Sequence, residues 1–342
     1  MPASKGRRWL KFVGYAVLFL LILLVAAISL TVGWRPILGP KMRAATDRKF
    51  ETTPERLKRG EYLVEHVSAC FGCHTQFDAK HGALAYTKPK GSGSVFIDEP
   101  NFKVVAPNIT PDPQTGIGNW TDDEVARAIR EGVTRDGRAL FPGMPYQNFH
   151  DMSDEDLASI VVYLRSMPAV NNDPGTTQLP FPVSRLINSA PQPVTRSVPQ
   201  PSPSDPVAYG KYLVGAVGVC SDCHTPLDKH GQPIKGMYLA GGNIFTDSGH
   251  AVATANITPD PTGISYYDEN LFVSMMRTGN VKARKLDAMM PTALFSGMTD
   301  DDLKSIFAYL RTIPPVKHHL DNTDPPTLCK IDGNMHGLGN QN

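Results

Sequence analysis

The sequence predicts an all-α fold, with an N-terminal transmembrane helix followed by two tandem copies of one small helical domain. Three observations predict it. Residues 12–34 form an uncharged, mostly apolar run. One ordered series of short motifs occurs twice, about 150 residues apart. Segments that open with a capping residue and continue with apolar residues at helical spacing recur in both copies.

The apolar run, Phe12 to Trp34, is 23 residues long. At about 1.5 Å per residue it is just long enough to cross a hydrocarbon core of about 30 Å. Lys5, Arg7, Arg8 and Lys11 precede it and favour a cytoplasmic N-terminus, although Arg35, Lys41 and Arg43 follow and weaken the asymmetry. The competing reading is a leader cleaved after Val25-Ala26-Ala27. The run exceeds the usual leader core, which favours an uncleaved anchor. Residues 1–50 hold nine Lys or Arg and one Asp, leaving 25 basic against 32 acidic residues and a net −7 beyond them. That balance argues against nucleic acid and favours a basic or neutral protein partner.

Within the repeat, Gly60, Tyr62, Leu63 and Val64 correspond to Gly210, Tyr212, Leu213 and Val214. Asp78, His81 and Gly82 find Asp228, His230 and Gly231. Asn108-Ile109-Thr110-Pro111-Asp112 returns as Asn256-Ile257-Thr258-Pro259-Asp260, Arg130 and Gly132 as Arg277 and Gly279, and Met144-Pro145 as Met290-Pro291. The order never breaks, and the offset drifts only as changes in loop length would make it.

Short helices are expected over 54–67 and 206–218. Thr121 to Glu124 forms a capping box that opens a helix with Val125, Ala128 and Ile129 on one face. Ser153 and Thr299 open the last helix of each copy. Their buried stripes are Leu157, Ile160, Val161 and Leu164, and Leu303, Ile306, Phe307 and Leu310; Pro168 and Pro314 end them. The division expected is 1–50 (cytoplasmic tip, anchor and juxtamembrane segment), 51–172 (first domain), 173–205 (linker), 206–318 (second domain) and 319–342 (irregular tail). Nine prolines between 174 and 206 make the linker extended, and Phe181, Val183, Leu186 and Ile187 are apolar enough to pack on a domain.

The chemistry lies in Cys70-Phe71-Gly72-Cys73-His74 and its repeat, Cys220-Ser221-Asp222-Cys223-His224. A lone C-x-x-C is ambiguous between zinc, a redox dithiol and a disulfide. A histidine directly after it is the signature of covalent haem c attachment: two thiols add to the two vinyl groups, and the imidazole takes the iron from one side. Two covalently bound haem c groups are therefore expected. Attachment of this kind takes place outside the bacterial cytoplasm, which sets the haem domains in the periplasm beyond a single-pass inner-membrane anchor.

A closed haem needs a ligand on the other face, and a thioether raises the potential. Met144 and Met290, each held in a loop by a following proline, suit fixed ligation. Met152 and Met298 directly precede a helix cap, where a hydrophobic staple is the better reading. Met289 cannot be separated from Met290 by spacing, and the Met-Pro match selects Met290. His81 and His230 follow the proximal histidine too closely to reach the far face and read as loop histidines. Tyr62, Tyr212, Tyr163 and Tyr309 read as packing where the first and last helices cross. Asn108 and Asn256 either hold a loop near the haem propionates or simply set a turn. Cys329 is left over as a free thiol, an intermolecular link or an axial thiolate.

C-x-x-C-H, Asn-Ile-Thr-Pro-Asp, Met-Pro and the final Asp-Leu-x-Ser-Ile-x-x-Tyr-Leu-Arg helix, in both copies, resemble the membrane-anchored cytochrome c subunits of bacterial alcohol, gluconate and aldehyde dehydrogenases. Leu239-Ala240-Gly241-Gly242 suits that family too, whereas the first copy has Gly91-Ser92-Gly93. The resemblance implies two class I cytochrome c domains. It pairs His74 with Met144 and His224 with Met290, and it implies electron transfer from a dehydrogenase subunit toward quinone, a soluble cytochrome or a terminal oxidase. Those subunits commonly carry three haems, and this chain has two motifs. The alternative is a dihaem enzyme of cytochrome c peroxidase type, which needs one iron with an open position; matching Met-Pro segments in both copies speak against it.

Overall fold

The computed structural model describes residues 3–77, 85–229, 231–247 and 250–338. Helix α1 (Ala3–Leu30) contains a 23-residue span, Arg8–Leu30, with a mean hydropathy of 2.8, long and apolar enough to cross a membrane. It ends four residues before the apolar run does, where the Trp34 indole donates to Ser29 at 3.0 Å. A short helix, α2 (Arg35–Leu38), follows.

The first copy begins with α3 (Pro54–Tyr62), capped by Thr53 with proline in its first turn. The chain then continues through one π turn (Leu63–Val67) into α4 (Phe71–His74), which carries the first haem motif. Next come β1 (Ser94–Glu99), β2 (Phe102–Ala106), α5 (Asp122–Glu131), α6 (Tyr146–Phe149) and α7 (Asp154–Ser166). The linker contributes α8 (Val183–Leu186). The second copy runs α9 (Pro206–Tyr212), a π turn (Leu213–Val217), α10 (Cys220–His224), β3 (Ile244–Asp247), β4 (His250–Ala253), α11 (Glu269–Thr278), β5 (Asn280–Val281), β6 (Arg284–Lys285), α12 (Thr292–Phe295) and α13 (Asp300–Leu310). The tail, expected to be irregular, forms a small hairpin of β7 (Thr327–Leu328) and β8 (Met335–His336).

The all-α expectation does not hold. Only 38% of the described residues are helical, and these residues include four two-stranded antiparallel ribbons. The physical reason is local. Residues 94–106 are dense in Val, Ile and Phe, which favour a pleated strand. Pro100-Asn101 then turns the chain between the paired residues Glu99 and Phe102, with Asn101 at φ 63°, the left-handed position that asparagine tolerates. The ribbon β3–β4 occupies the same place in the second copy, so it belongs to the repeat.

Helix packing follows the sequence more closely. The Thr121–Glu124 capping box is complete in both directions, and the residues of both predicted stripes are buried. In each copy the first helix crosses the last at a glycine. A Cβ on Gly60 would run into the Ser159 carbonyl, and one on Gly210 into that of Ser305. Tyr163 and Tyr309 sit at these crossings, as expected. Tyr62 and Tyr212 instead reach across to the other copy.

The linker is not a free tether. Lys103 and Gln178 exchange both backbone hydrogen bonds at 2.8 Å, and Val194 and Val198 are buried. Its helix α8 packs on α2, which follows α1, with Phe181 83% exposed.

Candidate haem sites

Each haem motif is launched by the same backbone device. The π turn is followed by a residue in the left-handed region, Ala69 at φ 48° and Val219 at φ 47°, immediately before the first cysteine. Neither residue is glycine, so each holds a conformation that an L side chain resists. The turn ends one helix and starts a new one. No disulfide joins Cys70, Cys73, Cys220 or Cys223. Burial pushes Cys70 and Cys220 up to about 12, each helped by the neighbouring cysteine of its motif; Cys223 is pushed up to about 11, by burial, then Asp222, then Cys73 of the other copy.

The histidines are oriented alike. Nδ1 of His74 lies 2.7 Å from the Pro107 carbonyl, and Nδ1 of His224 lies 2.7 Å from the Ala255 carbonyl. A carbonyl can only accept, so Nδ1 carries the proton and Nε2 keeps its lone pair free for a metal. Burial lowers the pKa of both rings against the opposing effect of these hydrogen bonds, which favours the neutral ligand form. Gly93 and Gly241 donate backbone N–H groups to the His74 and His224 carbonyls at 2.8 and 2.7 Å. A donor set of two thiols and one oriented neutral imidazole, built twice, fits covalent haem c.

The Asn-Ile-Thr-Pro-Asp segments resolve to the turn reading. Asn108 accepts the N–H and hydroxyl of Thr110 and donates to the carbonyls of Val170 and Asn172. Asn256 repeats the pattern with Thr258, Val316 and His318. These amides are fully engaged in tying the turn to the segment after the last helix.

Cys70, Met144, Cys220 and Met290 all border one buried core, in which Met152 and Met298 are fully enclosed. The Met-Pro loops share a conformation, with Pro145 and Pro291 at φ −80° and −79° leading into α6 and α12. Met289 is exposed. His81 and His230 lie outside the described residues. Cys329 sits in the tail, 3.5 Å from His318.

The two motifs meet across the interface between the copies. Asn148 of α6 donates to Ser221 in the second motif at 2.9 Å, and Gly72 in the first motif lies against Leu294 of α12. The Tyr62 hydroxyl donates to Asp302 at 2.6 Å and accepts the Thr299 N–H at 3.1 Å. The Tyr212 hydroxyl does the same with Asp156 at 2.7 Å and the Ser153 N–H at 3.1 Å. Each copy thus holds the helix cap of the other, a reciprocal exchange of the kind two-fold-related units make. Sequence reasoning missed this role, although both tyrosines and both aspartates were already paired in the repeat.

Residues 55–164 match the family model for cytochrome c oxidase, cbb3-type, subunit III. The chain is 30% identical over 312 residues to the cytochrome c subunit of alcohol dehydrogenase (quinone) from Gluconobacter oxydans, covering 83% of this chain and 60% of the relative. It is 30% identical over 290 residues to the fructose dehydrogenase cytochrome subunit of Gluconobacter japonicus, covering 81% and 57%. It is 28% identical over 270 residues to a diheme cytochrome c-type protein of Cereibacter sphaeroides, covering 76% and 86%. The chain spans about 60% of the length of the dehydrogenase subunits it matches. With two matching sets of haem-binding donors on one repeated scaffold, this chain is a c-type cytochrome with covalently bound haem, similar to the cytochrome c subunits of alcohol, fructose and gluconate dehydrogenases.

Proposed function

We propose that the protein is a membrane-anchored dihaem cytochrome c that transfers electrons from a dehydrogenase subunit toward the respiratory chain. When bound, haem c supplies a one-electron iron couple. Cys70 and Cys73 would hold one group and Cys220 and Cys223 the other, with His74 and Met144, and His224 and Met290, as the axial pairs. The carbonyls of Pro107 and Ala255 fix the proximal rings, and the rigid Met-Pro loops present the thioethers. Helix α1 would anchor the chain, with the N-terminus inside and domains 51–172 and 206–318 in the periplasm. The apolar surface of α2 and α8, including Phe181, suits the membrane interface beside that helix.

The observation that carries this reading is the sameness of the two sites. Both histidines are oriented by a backbone carbonyl at 2.7 Å, and both Met-Pro loops have one conformation. A carrier needs two closed haems, whereas an enzyme of peroxidase type needs one opened. The interface supports conduction as well, because it sets the two motifs against each other rather than at opposite ends of the molecule.

The test uses the reduced, detergent-solubilised protein and carbon monoxide. Neither haem should bind it, whereas Met144→Ala and Met290→Ala should each open one site and, in the oxidised protein, remove about half of the weak red absorption of thioether-ligated ferric haem. Rapid binding at one haem of the unaltered protein would refute the carrier reading in favour of the enzyme.

A further inference from the structure

The C-terminal tail brings together four metal-binding side chains that belong to neither haem motif. Nε2 of His318, Sγ of Cys329, Oδ2 of Asp332 and Nε2 of His336 all lie within 4.8 Å of one another. The side chains of Asp332, His318 and His336 are 0, 1 and 8% exposed. We propose that these four residues form a zinc site that clamps the tail hairpin onto the second haem domain.

The donor spacings bracket those of a tetrahedral site. Bonds of about 2.0–2.3 Å at tetrahedral angles put ligand atoms roughly 3.3–3.8 Å apart. Cys329 Sγ and Asp332 Oδ2 stand 3.5 and 3.7 Å from His318 Nε2, and Asp332 Oδ2 stands 2.9 Å from His336 Nε2. Despite that approach, Asp332 Oδ2 and His336 Nε2 are buried without a hydrogen-bond partner. Leaving a buried polar atom unsatisfied costs about 1–3 kcal/mol. A cation between them satisfies both atoms at once.

The surroundings hold each donor in a ligating pose. His318 Nδ1 donates to the Ala240 carbonyl at 3.0 Å, which leaves Nε2 as the lone-pair nitrogen. Asp332 is fixed through Oδ1, which accepts the Asn334 N–H at 3.0 Å, so Oδ2 faces the cluster. Cys329 Sγ accepts the Ile331 N–H at 3.4 Å, a contact that orients the sulfur. Gly242, at φ 108°, closes the floor. A Cβ there would lie 2.5 Å from Asp332 Oδ2 and 2.8 Å from the His318 ring.

The first copy shows what the site replaced. Asn172 occupies the place of His318 and donates to the Ser92 carbonyl at 2.8 Å, the counterpart of the His318 bond to Ala240. Histidine keeps that hydrogen bond through one nitrogen and gains a ligand in the other. One thiolate, two imidazoles and one carboxylate make a four-donor set suited to structural zinc, with no position left open. Binding displaces the Cys329 thiol proton to solvent.

The holoprotein, dialysed against micromolar zinc chloride and then metal-free buffer, should contain about one zinc per two irons by elemental analysis. X-ray absorption at the zinc edge should show one sulfur at about 2.3 Å and nitrogen or oxygen at about 2.0 Å. Cys329→Ser with His336→Ala should lower zinc at least tenfold while iron stays unchanged. Zinc below a tenth of this ratio, copper in its place, a zinc shell without sulfur, or full zinc retention by the double variant would each overturn the site.

Discussion

The two copies agree wherever they hold a haem motif and differ wherever they are covered. The left-handed residue before the first cysteine, the carbonyl on the proximal histidine, the Asn–Thr turn and the Met-Pro loop are the same in both, bond for bond. The covers have separate origins. The first copy is strapped by the segment after α1 and α2: Arg43 forks onto Asp123 at 2.6 and 2.8 Å and reaches Glu131 at 2.7 Å. In the second copy those acidic positions are Asn270 and Thr278, and the cover is the tail hairpin with His318. Haem attachment therefore constrains a small inner shell, and the outer layer is free to be built from whatever segment adjoins it.

The glycine crossings belong to the inner shell, so they test the sameness most severely. Gly60→Ala and Gly210→Ala each force the first and last helices of a copy apart, since the added Cβ meets a backbone carbonyl that cannot step aside. Each should cost about 3 kcal/mol in urea unfolding of the holoprotein, the upper end for overpacking. Nearly equal losses are expected. A loss at only one of the two would show that the copies do not pack alike.

The strap tests the difference. Asp123 and Glu131 are buried, and Arg43→Ala leaves both without their guanidinium, at a cost of about 2–3 kcal/mol at neutral pH. Burial pushes both carboxyls up, but Arg43 and the Thr46 N–H outweigh it at Asp123, whose pKa is lowered, whereas Glu131 stays raised. The stability Asp123 contributes is present above the usual carboxylate range and is lost as pH falls through its lowered value. The Glu131 contribution has the opposite sign, present in acid and lost as pH rises. Without Arg43 both groups take up protons more readily, so the deficit of the variant should shrink as pH falls toward about 4. Urea unfolding at the two pH values checks this; a deficit independent of pH would mean that Arg43 acts by packing alone.

The inner shell was largely legible in the sequence because it is chemical and repeated. Cysteine spacing, the adjacent histidine and Met-Pro depend on residue type, and duplication separates them from chance. The capped helices were legible through period and cap. The ribbons were not, since β1 and β2 are short, and the first of them follows directly on the Gly91-Ser92-Gly93 loop. The interface was hidden for a different reason. A tyrosine such as Tyr62 shows the same helical spacing whether it packs within its own copy or bonds Asp302 of the other. The tail cluster was hidden because His318 and His336 stand apart in sequence from Cys329, and only the hairpin turn joins them.

The tyrosine exchange carries a graded prediction between the copies. Asp156 accepts both Arg59 nitrogens at 2.8 and 2.9 Å in addition to Tyr212. The position corresponding to Arg59 is Tyr209, so Asp302 has no such partner among the described residues. Tyr62→Phe should therefore cost about 2 kcal/mol and Tyr212→Phe about 1 kcal/mol, both read by urea unfolding. The reverse order would mean that the tyrosine, not the arginine, decides how the cap of α7 is held.

The smallest effect is expected at the left-handed residues. Replacing either by glycine relieves roughly 1–2 kcal/mol of backbone strain and costs roughly 0.5–1 kcal/mol in unfolded-chain entropy. Ala69→Gly should thus stabilise by about 0.5 kcal/mol, a shift visible in thermal unfolding. Val219 differs because its side chain packs on the core. Burying part of a valine is worth about 1 kcal/mol, so Val219→Gly should leave stability nearly unchanged. An equal gain at both positions would show that the Val219 side chain adds nothing to the second core. A loss at Ala69 would show that the strain is not carried by the backbone at all, and that the turn before the first cysteine is a relaxed part of the fold.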